Sequence, residues 1–324
     1  SMKPPFAFPA LLALLLLFAH APASAQFTWT DTEGKHLELT FQNRPVARYV
    51  YEAIDESSPQ RRDETYKPFC HIFRPDKRDD FLTKGAGGSF THHRGIYYGF
   101  SKISYTDRDG KQWNNVDTWH CRKAHQLHRS FSAKEADEKT AHFISVIDWV
   151  GDDGQVFATE ERTMRFSYPV KDLVVGFESK LTPTVPSLRL DGDPQHAGFH
   201  FRAHNDIHDV SPNATYYIRP VSGIGQPGIA INWTPKTDND QTRDLLWKGM
   251  CFLLDNKFFT VAYLDHPGNP KPARASERQY GRFGTYFATD VIPEKPLTVR
   301  YRLVIRQGEM TVEEITKLSK DFKG

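Results

Sequence analysis

"HFISVIDWVGDDGQVFATEERTMRFSY", residues His142 to Tyr168, contains two runs rich in β-branched and aromatic residues on either side of the turn sequence Gly-Asp-Asp-Gly-Gln. Alternation of apolar and polar residues with a period of two is typical of strands that bury one face. Asp and Gly are residues that favour turns. The stretch therefore predicts two strands joined by a short turn.

The same pattern continues over nearly all of the chain after Gln26. The opening runs FTWT, HLELTF and PVARYVYE are typical of a β-meander. Later runs of the same kind are DLVVGFESKL, HAGFHFRAH, ATYYIRPV, GMCFLLD, FFTVAYLD, GRFGTYFAT and LTVRYRLVIR. So many short strands separated by turns indicate an all-β sandwich or barrel, and we predict a large antiparallel β-sandwich.

One helix is predicted near the C-terminus. Thr311 can cap the segment VEEITKLSKDF, whose first turn is acidic. Its apolar residues recur at helical spacing: Val312, Ile315, Leu318 and Phe322. We expect this short helix to pack on the outside of the sandwich.

Residues 1–25 have the features of an export signal: a positive start at Lys3, an apolar core, and the small residues Ala23-Ser24-Ala25. We therefore predict a signal peptide, and a periplasmic or extracellular location after its removal. Residues 26–324 contain no segment long or biased enough to be a domain linker, so we predict one β-sandwich domain there. Three polar segments are expected to be loops: 55–68, 182–194 and 234–244.

Charge and cysteine content exclude several classes of protein. With 42 basic and 40 acidic residues there is no excess of charge to attract nucleic acid. After the signal peptide, no apolar run is long enough to span a membrane. Cys70, Cys121 and Cys251 lie far apart without a C-x-x-C pair, which excludes a zinc knuckle. Either two of them form a disulfide or all three stay as buried thiols.

The run HAGFHFRAH has two faces of different character. One carries only small and aromatic residues and belongs in the core. The other face carries His196, Gly198, His200, Arg202 and His204. Three histidines and an arginine on one face indicate a binding surface. His196 and His200 would lie about 13 Å apart in an extended chain, too far to share a metal ion.

The run THHRGIYYGF is a second source of candidate residues. If it is a regular strand throughout, His92, Arg94 and Tyr98 share one face and His93 lies on the other. We therefore predict that His92 and Arg94 act together, and that the two histidines do not share a site.

Candidate acids and an aromatic lie in two further segments. Glu160 shares a strand face with Arg162, so it is either a general acid or base with a raised pKa or half of a structural ion pair. Trp119 and His120 follow Asp117, and an aromatic ring beside polar groups is typical of a sugar site.

Asp265 and His266 end a strand, where side chains can face a cleft. Nucleophile-elbow, phosphate-loop and dinucleotide signatures are absent from the sequence, so no organic cofactor is required. A divalent metal held by residues from separate strands stays open as an alternative.

Several of these segments together resemble one family. They are PFCHIFRPD, THHRGIYYGF, DTWHC, EERTMRF, HAGFHFRAH, AYLDHPGNP and RQYG. The resemblance is to a secreted bacterial family labelled "methane oxygenase PmoA" and treated as a domain of unknown function. The label does not describe the activity expected of this chain. A particulate methane monooxygenase subunit spans membranes, whereas this sequence has no apolar run long enough to do so after the signal peptide. Similar proteins occur in polysaccharide-degrading bacteria, which implies a carbohydrate role.

The alternation is also similar to that of galactose-mutarotase-like supersandwiches, in which Arg, His and Glu project from a concave sheet onto a sugar. We predict an exported carbohydrate-active enzyme that uses general acid–base chemistry, as an epimerase, lyase or hydrolase. Its predicted catalytic residues are His92, Arg94, His120, Glu160 and His200. Its predicted contacts with a sugar or oligosaccharide are Trp119, Tyr98, His196, Arg202, Asp265, His266 and Arg278. The alternatives are a glycan-binding protein that stacks sugars on Trp119, Tyr97 and Tyr98, and a metal-dependent hydrolase.

Overall fold

The computed structural model describes Met2 and residues 26–322. The predicted signal peptide lies outside the described residues. None of the described helices has the length and apolar character needed to cross a bilayer.

Strands dominate the described chain. In chain order they are β1 (Phe27–Thr32), β2 (His36–Phe41), β3 (Arg44–Val50), β4 (Phe69–Ile72), β5 (Ile96–Phe100), β6 (Ile103–Thr106), β7 (Gln112–Val116), β8 (His125–Ala136), β9 (Thr140–Val150), β10 (Val156–Ser167), β11 (Leu173–Pro183), β12 (Ser187–Leu190), β13 (Ala197–Arg202), β14 (Tyr216–Arg219), β15 (Gly223–Ile224), β16 (Trp247–Leu254), β17 (Lys257–Asp265), β18 (Arg274–Arg278), β19 (Arg282–Tyr286), β20 (Thr289–Val291) and β21 (Leu297–Gln307). The helices are α1 (Pro59–Thr65), α2 (Asp206–Asp209) and α3 (Val312–Lys320).

The strands form three sheets in which neighbouring strands run antiparallel. An eight-stranded sheet has the order β1-β2-β3-β4-β5-β13-β19-β18, and a nine-stranded sheet has the order β15-β14-β16-β17-β21-β11-β10-β9-β8. A four-stranded sheet, β20-β12-β6-β7, flanks them. The predicted all-β, antiparallel sandwich is confirmed.

The stretch that opened the sequence analysis forms strands β9 and β10. They pair antiparallel along their whole length, with one register shift between Val156 and Ala158. The backbone N–H of Gly151 donates to the carbonyl of Gln155 at 2.8 Å and closes the turn. The period of two, with Gly and Asp at the break, was a sufficient signal for this hairpin.

Aromatic side chains fill the space between the two large sheets. Tyr98 of the eight-stranded sheet packs on Trp149 and Phe177 of the nine-stranded sheet, with ring centroids 5.8 and 5.7 Å apart. Phe177 in turn lies 4.4 Å from Phe199. Burying side chains of this size stabilises the fold by about 1.5–3 kcal/mol each, so this layer holds the two sheets together.

Helix α3 begins where the sequence predicted it. The Thr311 side chain accepts from the backbone N–H of Glu314, and the Glu314 side chain accepts from the backbone N–H of Thr311, which is a capping box. Ile315 is buried in a second apolar cluster with Trp247 and Leu264, on the outer side of the nine-stranded sheet.

Two of the three segments expected to be loops contain regular structure. Helix α1 lies within 55–68, because Ser58 accepts from the backbone N–H of Arg61 and Pro59 opens the helix. Strand β12 lies within 182–194. Segment 234–244 contains neither a helix nor a named strand. All three cysteines are buried free thiols.

Glu160 lies in the layer between the two large sheets. Its carboxylate accepts from Trp149 Nε1 at 2.9 Å and from Arg162 Nε and Nη2 at 2.8 and 2.9 Å. Both charged side chains are almost completely buried. This is the structural ion pair that the sequence left as an alternative, and a buried charge of this kind depends on its partner.

We expect Glu160→Ala to lower the free energy of unfolding by about 3–5 kcal/mol, because it leaves the buried Arg162 guanidinium without a counter-charge. The matched control is Glu161→Ala, one residue along on the opposite face. Its carboxylate is 49% exposed and paired with Lys180, so its loss should change stability by at most about 1 kcal/mol. Urea unfolding of both variants checks this, and equal effects would contradict the structural role of Glu160.

Candidate functional site

The outer face of the eight-stranded sheet is polar and is covered by loops. Tyr97 of β5, His200 and Arg202 of β13 and Arg282 of β19 point to this side, and each is fully buried. The loops that cover them are 84–95, 117–121, 193–196 and 279–281. We call these four side chains and the loops above them the polar layer.

Strand β13 places its alternate residues as the sequence predicted. Phe199 faces the core, whereas His200 lies 4.8 Å from the ring of Trp119 in the polar layer. Arg202 lies under Tyr280, with its guanidinium carbon 4.6 Å from the ring centroid. The face that carries histidine and arginine is thus buried beneath loops rather than exposed to solvent.

Gly95 ends the alternation that the sequence suggested for residues 90–100. Its φ of +52° is one that side chains rarely adopt, and a Cβ there would lie 2.3 Å from the Cys70 carbonyl oxygen. Strand β5 therefore begins only at Ile96, and the preceding residues form a turn. His92 and His93 both point into the polar layer, with ring centroids 4.1 Å apart. The prediction that they cannot share a site is wrong.

Arg94 does not act with His92. Its guanidinium donates to the backbone carbonyls of Asp63 at 2.6 Å, Glu64 at 3.2 Å and Thr91 at 2.9 Å. It also packs over the ring of Tyr66 at 4.2 Å. Arg94 is therefore a positioning residue that ties the end of helix α1 to the turn bearing the two histidines, and its contacts do not support the predicted catalytic role beside His92.

Four histidines meet at the edge of the polar layer. The ring centroid of His120 lies 4.5 Å from that of His92 and 4.8 Å from that of His196. His196 is 6.0 Å from His92 and 6.3 Å from His93. We call His92, His93, His120 and His196 the histidine cluster. Three segments distant in sequence contribute to it.

Two of these imidazoles are oriented by carboxylates. His120 Nδ1 lies 2.8 Å from Asp117 Oδ2, and His196 Nδ1 lies 3.1 Å from both oxygens of Asp193. Burial opposes ionisation of both carboxyls, but the hydrogen bonds from the histidines outweigh it and lower the pKa of Asp117 and of Asp193. Each ring is thereby fixed with its Nε2 directed away from the carboxylate.

The remaining histidines of the layer are neutral. Burial, with the nearby charge of Lys67, lowers the pKa of His92 to about 2. Burial and the guanidinium of Arg282 hold the pKa of His93 and of His200 well below the usual range. Neutral imidazoles offer a lone pair as well as a donor, so these rings can accept hydrogen bonds or bind a metal.

His200 is fully engaged by protein groups. Its Nε2 lies 2.9 Å from the Ala197 carbonyl, and its Nδ1 lies 2.9 Å from Arg282 Nη1. Arg282 also donates to Ser276 Oγ at 2.9 Å and to Gln195 Oε1 at 2.5 Å. Both ring nitrogens are used, so the predicted role of His200 in proton transfer is not supported by its contacts.

Buried polar atoms without a partner are concentrated in the polar layer. Such atoms are uncommon in native proteins, where nearly all buried polar groups are hydrogen-bonded. Among the described residues they include His92 Nε2, both ring nitrogens of His93, Tyr97 Oη, Trp119 Nε1, all three guanidinium nitrogens of Arg202 and Arg282 Nε. A layer with so many of them is a candidate site for binding a polar ligand.

A cleft of about 560 Å³ opens beside the histidine cluster. Residues 113–116 of strand β7 line it, and so do His120 and His196. Their side chains are 20% and 36% exposed. The other polar residues that line the cleft are Ser101, Lys102, Asn114, Asn115, Asp117, Arg122, Lys123, Asp152 and Asp193.

The sequence missed two buried cations of the layer. Lys67 donates to the Trp119 carbonyl, and its Nζ lies 4.9 Å from the ring of Tyr97. Burial lowers the pKa of Lys67 to about 7. Arg282 and the core residue Phe283 are neighbours in β19 and therefore face opposite sides of the sheet. This alternation could have indicated from the sequence that Arg282 lies on the polar side.

Glu160, Tyr98 and His266 lie away from the histidine cluster, and so does Asp265, which is described below. Glu160 and Tyr98 are on the core side of the eight-stranded sheet, because each contacts Trp149. His266 lines a separate cavity of about 420 Å³ together with Arg300, Arg302 and Phe322. These three residues cannot act with the cluster, and the prediction that joined them to it is wrong.

Trp119 and Arg278 lie on the side of the polar layer. Trp119 is fully buried beneath the cluster, with its ring 5.8 Å from that of His93. Arg278 is half-buried at the end of β18 and donates to the Glu277 carbonyl at 3.2 Å. Neither Trp119 nor the buried Tyr97 and Tyr98 offers an exposed ring face on which a sugar could stack.

The family described as "Family of unknown function (DUF6807)" matches residues 36–320 of the chain. This agrees with the resemblance to a domain of unknown function seen in the motifs. No curated protein sequence matches the chain.

Solved structures give distant likenesses. The GH36 alpha-galactosidase AgaA from Geobacillus stearothermophilus is 10% identical, with a TM-score of 0.38 over 90% of this chain and 42% of that one. The galactosidase domain of alpha-galactosidase-sucrose kinase AgaSK is 9% identical, with a TM-score of 0.44 over 87% and 42%. A heparinase III is 9% identical, with a TM-score of 0.35 over 89% and 36%. The chain thus spans about two fifths of the galactosidases' length, and identities this low transfer no site residue to it.

Asp265 has a carboxyl with unusual titration, at the end of β17 and outside the polar layer. It is almost fully buried, and burial raises the pKa of Asp265 to about 6, against the opposing effect of Lys271. Its Oδ1 accepts from Asn269 Nδ2 at 2.8 Å. Between about pH 4 and pH 6 the folded protein therefore binds more protons at this site than the unfolded chain, and stability falls as pH rises through that window.

We expect Asp265→Asn to remove this loss, because the amide keeps an acceptor for Asn269 without a charge. Relative to the wild type, the free energy of unfolding of the variant should grow by about 2–3 kcal/mol from pH 4 to pH 6 and then stay constant. Urea unfolding across this range measures it. The hydrogen bond and charge of Arg74 lower the pKa of Asp255, so the stability that Asp255 contributes is lost mainly below about pH 4. From pH 4 to pH 6, Asp255→Asn should therefore show little change relative to the wild type, and an equal rise in both variants would contradict the assignment.

Proposed function

Because this chain belongs to the family of unknown function DUF6807, we propose its function from the site itself: an exported enzyme that acts on a sugar or glycoside by general acid–base chemistry. The observation that carries the proposal is the position of His120. It lines a polar cleft, and its Nδ1 is held by Asp117.

The cleft has the size and chemistry that a sugar requires. A volume of about 560 Å³ falls in the range of small-molecule sites. The side chains of Asn114 and Asn115 offer amide donors and acceptors for hydroxyl groups, and Lys102 and Arg122 offer cationic donors. Trp113 also lines the cleft and adds an apolar surface.

His120 has the arrangement of a proton-transfer group. In the tautomer whose Nδ1 proton is donated to Asp117, Nε2 carries a lone pair and can act as an acceptor. The carboxylate would then stabilise the imidazolium that forms when Nε2 takes a proton from the substrate. Epimerases, lyases and hydrolases share such a step, so the proposal covers these three outcomes. His120 takes the role that the sequence had offered to Glu160 or His200.

The alternative of a non-catalytic glycan-binding protein is less well supported. It needs aromatic faces that a pyranose ring can cover. Trp119, Tyr97 and Tyr98 are each buried, with at most 1% of the residue exposed. A histidine oriented by an aspartate, as His120 is by Asp117, does not provide a surface on which a sugar ring could stack.

A ligand screen is the direct experiment. Thermal shifts are measured with neutral mono- and oligosaccharides, with oligosaccharides that contain uronic acids, and with keto-sugars, and each sugar that binds is then incubated for product analysis. At a ligand concentration one hundred times Kd the native state gains about 2.7 kcal/mol, which is easily detected. Absence of a shift with all of these sugars would contradict a carbohydrate role.

We expect His120→Gln to lower kcat on a sugar found in the screen by about 10²–10⁴-fold, because it removes the proton acceptor. Asp117→Asn should lower kcat as well, since it no longer fixes the tautomer of His120. Both variants should keep most of the thermal shift. The control is His142→Gln. His142 lies on β9 next to Glu135 of β8, and its replacement should leave turnover unchanged. An unchanged kcat in His120→Gln would exclude the proton-transfer role.

A further inference from the structure

We propose that His92, His93 and His196 bind a divalent transition-metal ion. One ring nitrogen of each residue lies within 4.8 Å of the corresponding nitrogen of the other two. Three imidazoles around one point, with a further position left open, are a common arrangement in zinc enzymes. This inference goes beyond the proposed sugar chemistry and does not depend on it.

The hydrogen bonds of these histidines leave ligand nitrogens free. His196 uses Nδ1 for Asp193, so its Nε2 is the available nitrogen. A histidine held by a carboxylate through one nitrogen, with the other on the metal, is the usual pattern around bound zinc. His196 thus has both an available nitrogen and the partner that orients it.

Independent support comes from the buried nitrogens of the other two rings. His92 Nε2 and both ring nitrogens of His93 are buried and have no hydrogen-bond partner among the described residues. Buried nitrogens without partners are unfavourable unless something else binds them. A metal ion would engage one lone pair on each ring.

Two rigid segments present the three ligands. His92 and His93 lie in the turn that Gly95 and Arg94 hold against neighbouring backbone. His196 precedes β13, and its backbone N–H donates to the Asp193 carbonyl at 3.0 Å. Zn–N bonds of about 2.0–2.1 Å place tetrahedral ligands roughly 3.3–3.4 Å apart, so the ring nitrogens need to approach one another by at most about 1.5 Å.

The ligand type selects the ion. Imidazole nitrogen suits Zn²⁺, Co²⁺, Ni²⁺ and Cu²⁺, whereas Mg²⁺ and Ca²⁺ prefer oxygen. His120 lies outside the group of three, although its ring is 4.5 Å from that of His92. It therefore remains available for the role proposed above.

The test is metal binding by the purified protein after dialysis against a chelator. Zn²⁺ is titrated in a calorimeter, and Co²⁺ is titrated by visible absorption, which reports nitrogen ligation directly. We expect one ion per chain and no binding of Mg²⁺ or Ca²⁺. His196→Ala and His93→Ala should weaken Zn²⁺ binding at least 100-fold, and Asp193→Asn by about 10–100-fold.

His142→Ala is the matched control and should leave the Zn²⁺ affinity unchanged. Circular dichroism verifies the fold of each variant. If the buried His93→Ala does not fold, the partly exposed His196→Ala and Asp193→Asn variants decide. Failure of the wild type to bind Zn²⁺, or equal affinity in His196→Ala, would overturn the proposal. His120→Gln should still bind Zn²⁺, so loss of turnover in that variant with metal binding intact separates the two proposals.

Discussion

Burial of both faces of strand β13 is the constraint on which the rest of the structure depends. Phe199 and Phe201 face the aromatic layer that joins the two large sheets, and His200 and Arg202 face outward into the polar layer. Burial of a polar side chain is unfavourable unless other groups satisfy it. The loops over the eight-stranded sheet supply one such group, because Gln195 accepts from Arg282, which is hydrogen-bonded to His200. The guanidinium nitrogens of Arg202 have no partner among the described residues.

The outer faces of the two large sheets are treated differently. On the nine-stranded sheet, helix α3 covers strands β16 and β17 with apolar contacts. Exposed ion pairs such as Lys180 with Glu161 and Arg300 with Glu178 occupy other parts of that face. The eight-stranded sheet instead carries irregular loops, which can place side chains from distant segments over a rigid scaffold. The loop-covered face of the eight-stranded sheet is therefore the better candidate for a functional site.

Much of the fold could be predicted because its signals are local. A period of two defined the hairpin around Gly151, and the cap at Thr311 defined helix α3. The same period separated the core face of β13 from the face bearing His200. The segment with Asp117, Trp119 and His120, predicted to contribute to a site, lies beside the other histidines.

The errors arose where a distant contact decides a local conformation. Gly95 adopts a positive φ because the Cys70 carbonyl lies against it, and no pattern within residues 90–100 reveals that approach. As a result His93 was placed on the wrong side and Arg94 was given the wrong partner. Glu160 looked like a catalytic acid, but Trp149 from the adjacent strand holds it in the core. Cross-strand partners of this kind become visible only when the register is known.

The histidine cluster draws on positions 92, 93, 120 and 196, so more than a hundred residues separate its first and last members. Closing the long loops between these positions costs conformational entropy, so their arrangement depends on the folded sheets and loops that hold them. A fragment or a collapsed folding intermediate would contain the individual imidazoles without their mutual arrangement. Binding of a metal ion by these histidines would therefore distinguish fully native molecules from compact but incompletely folded ones.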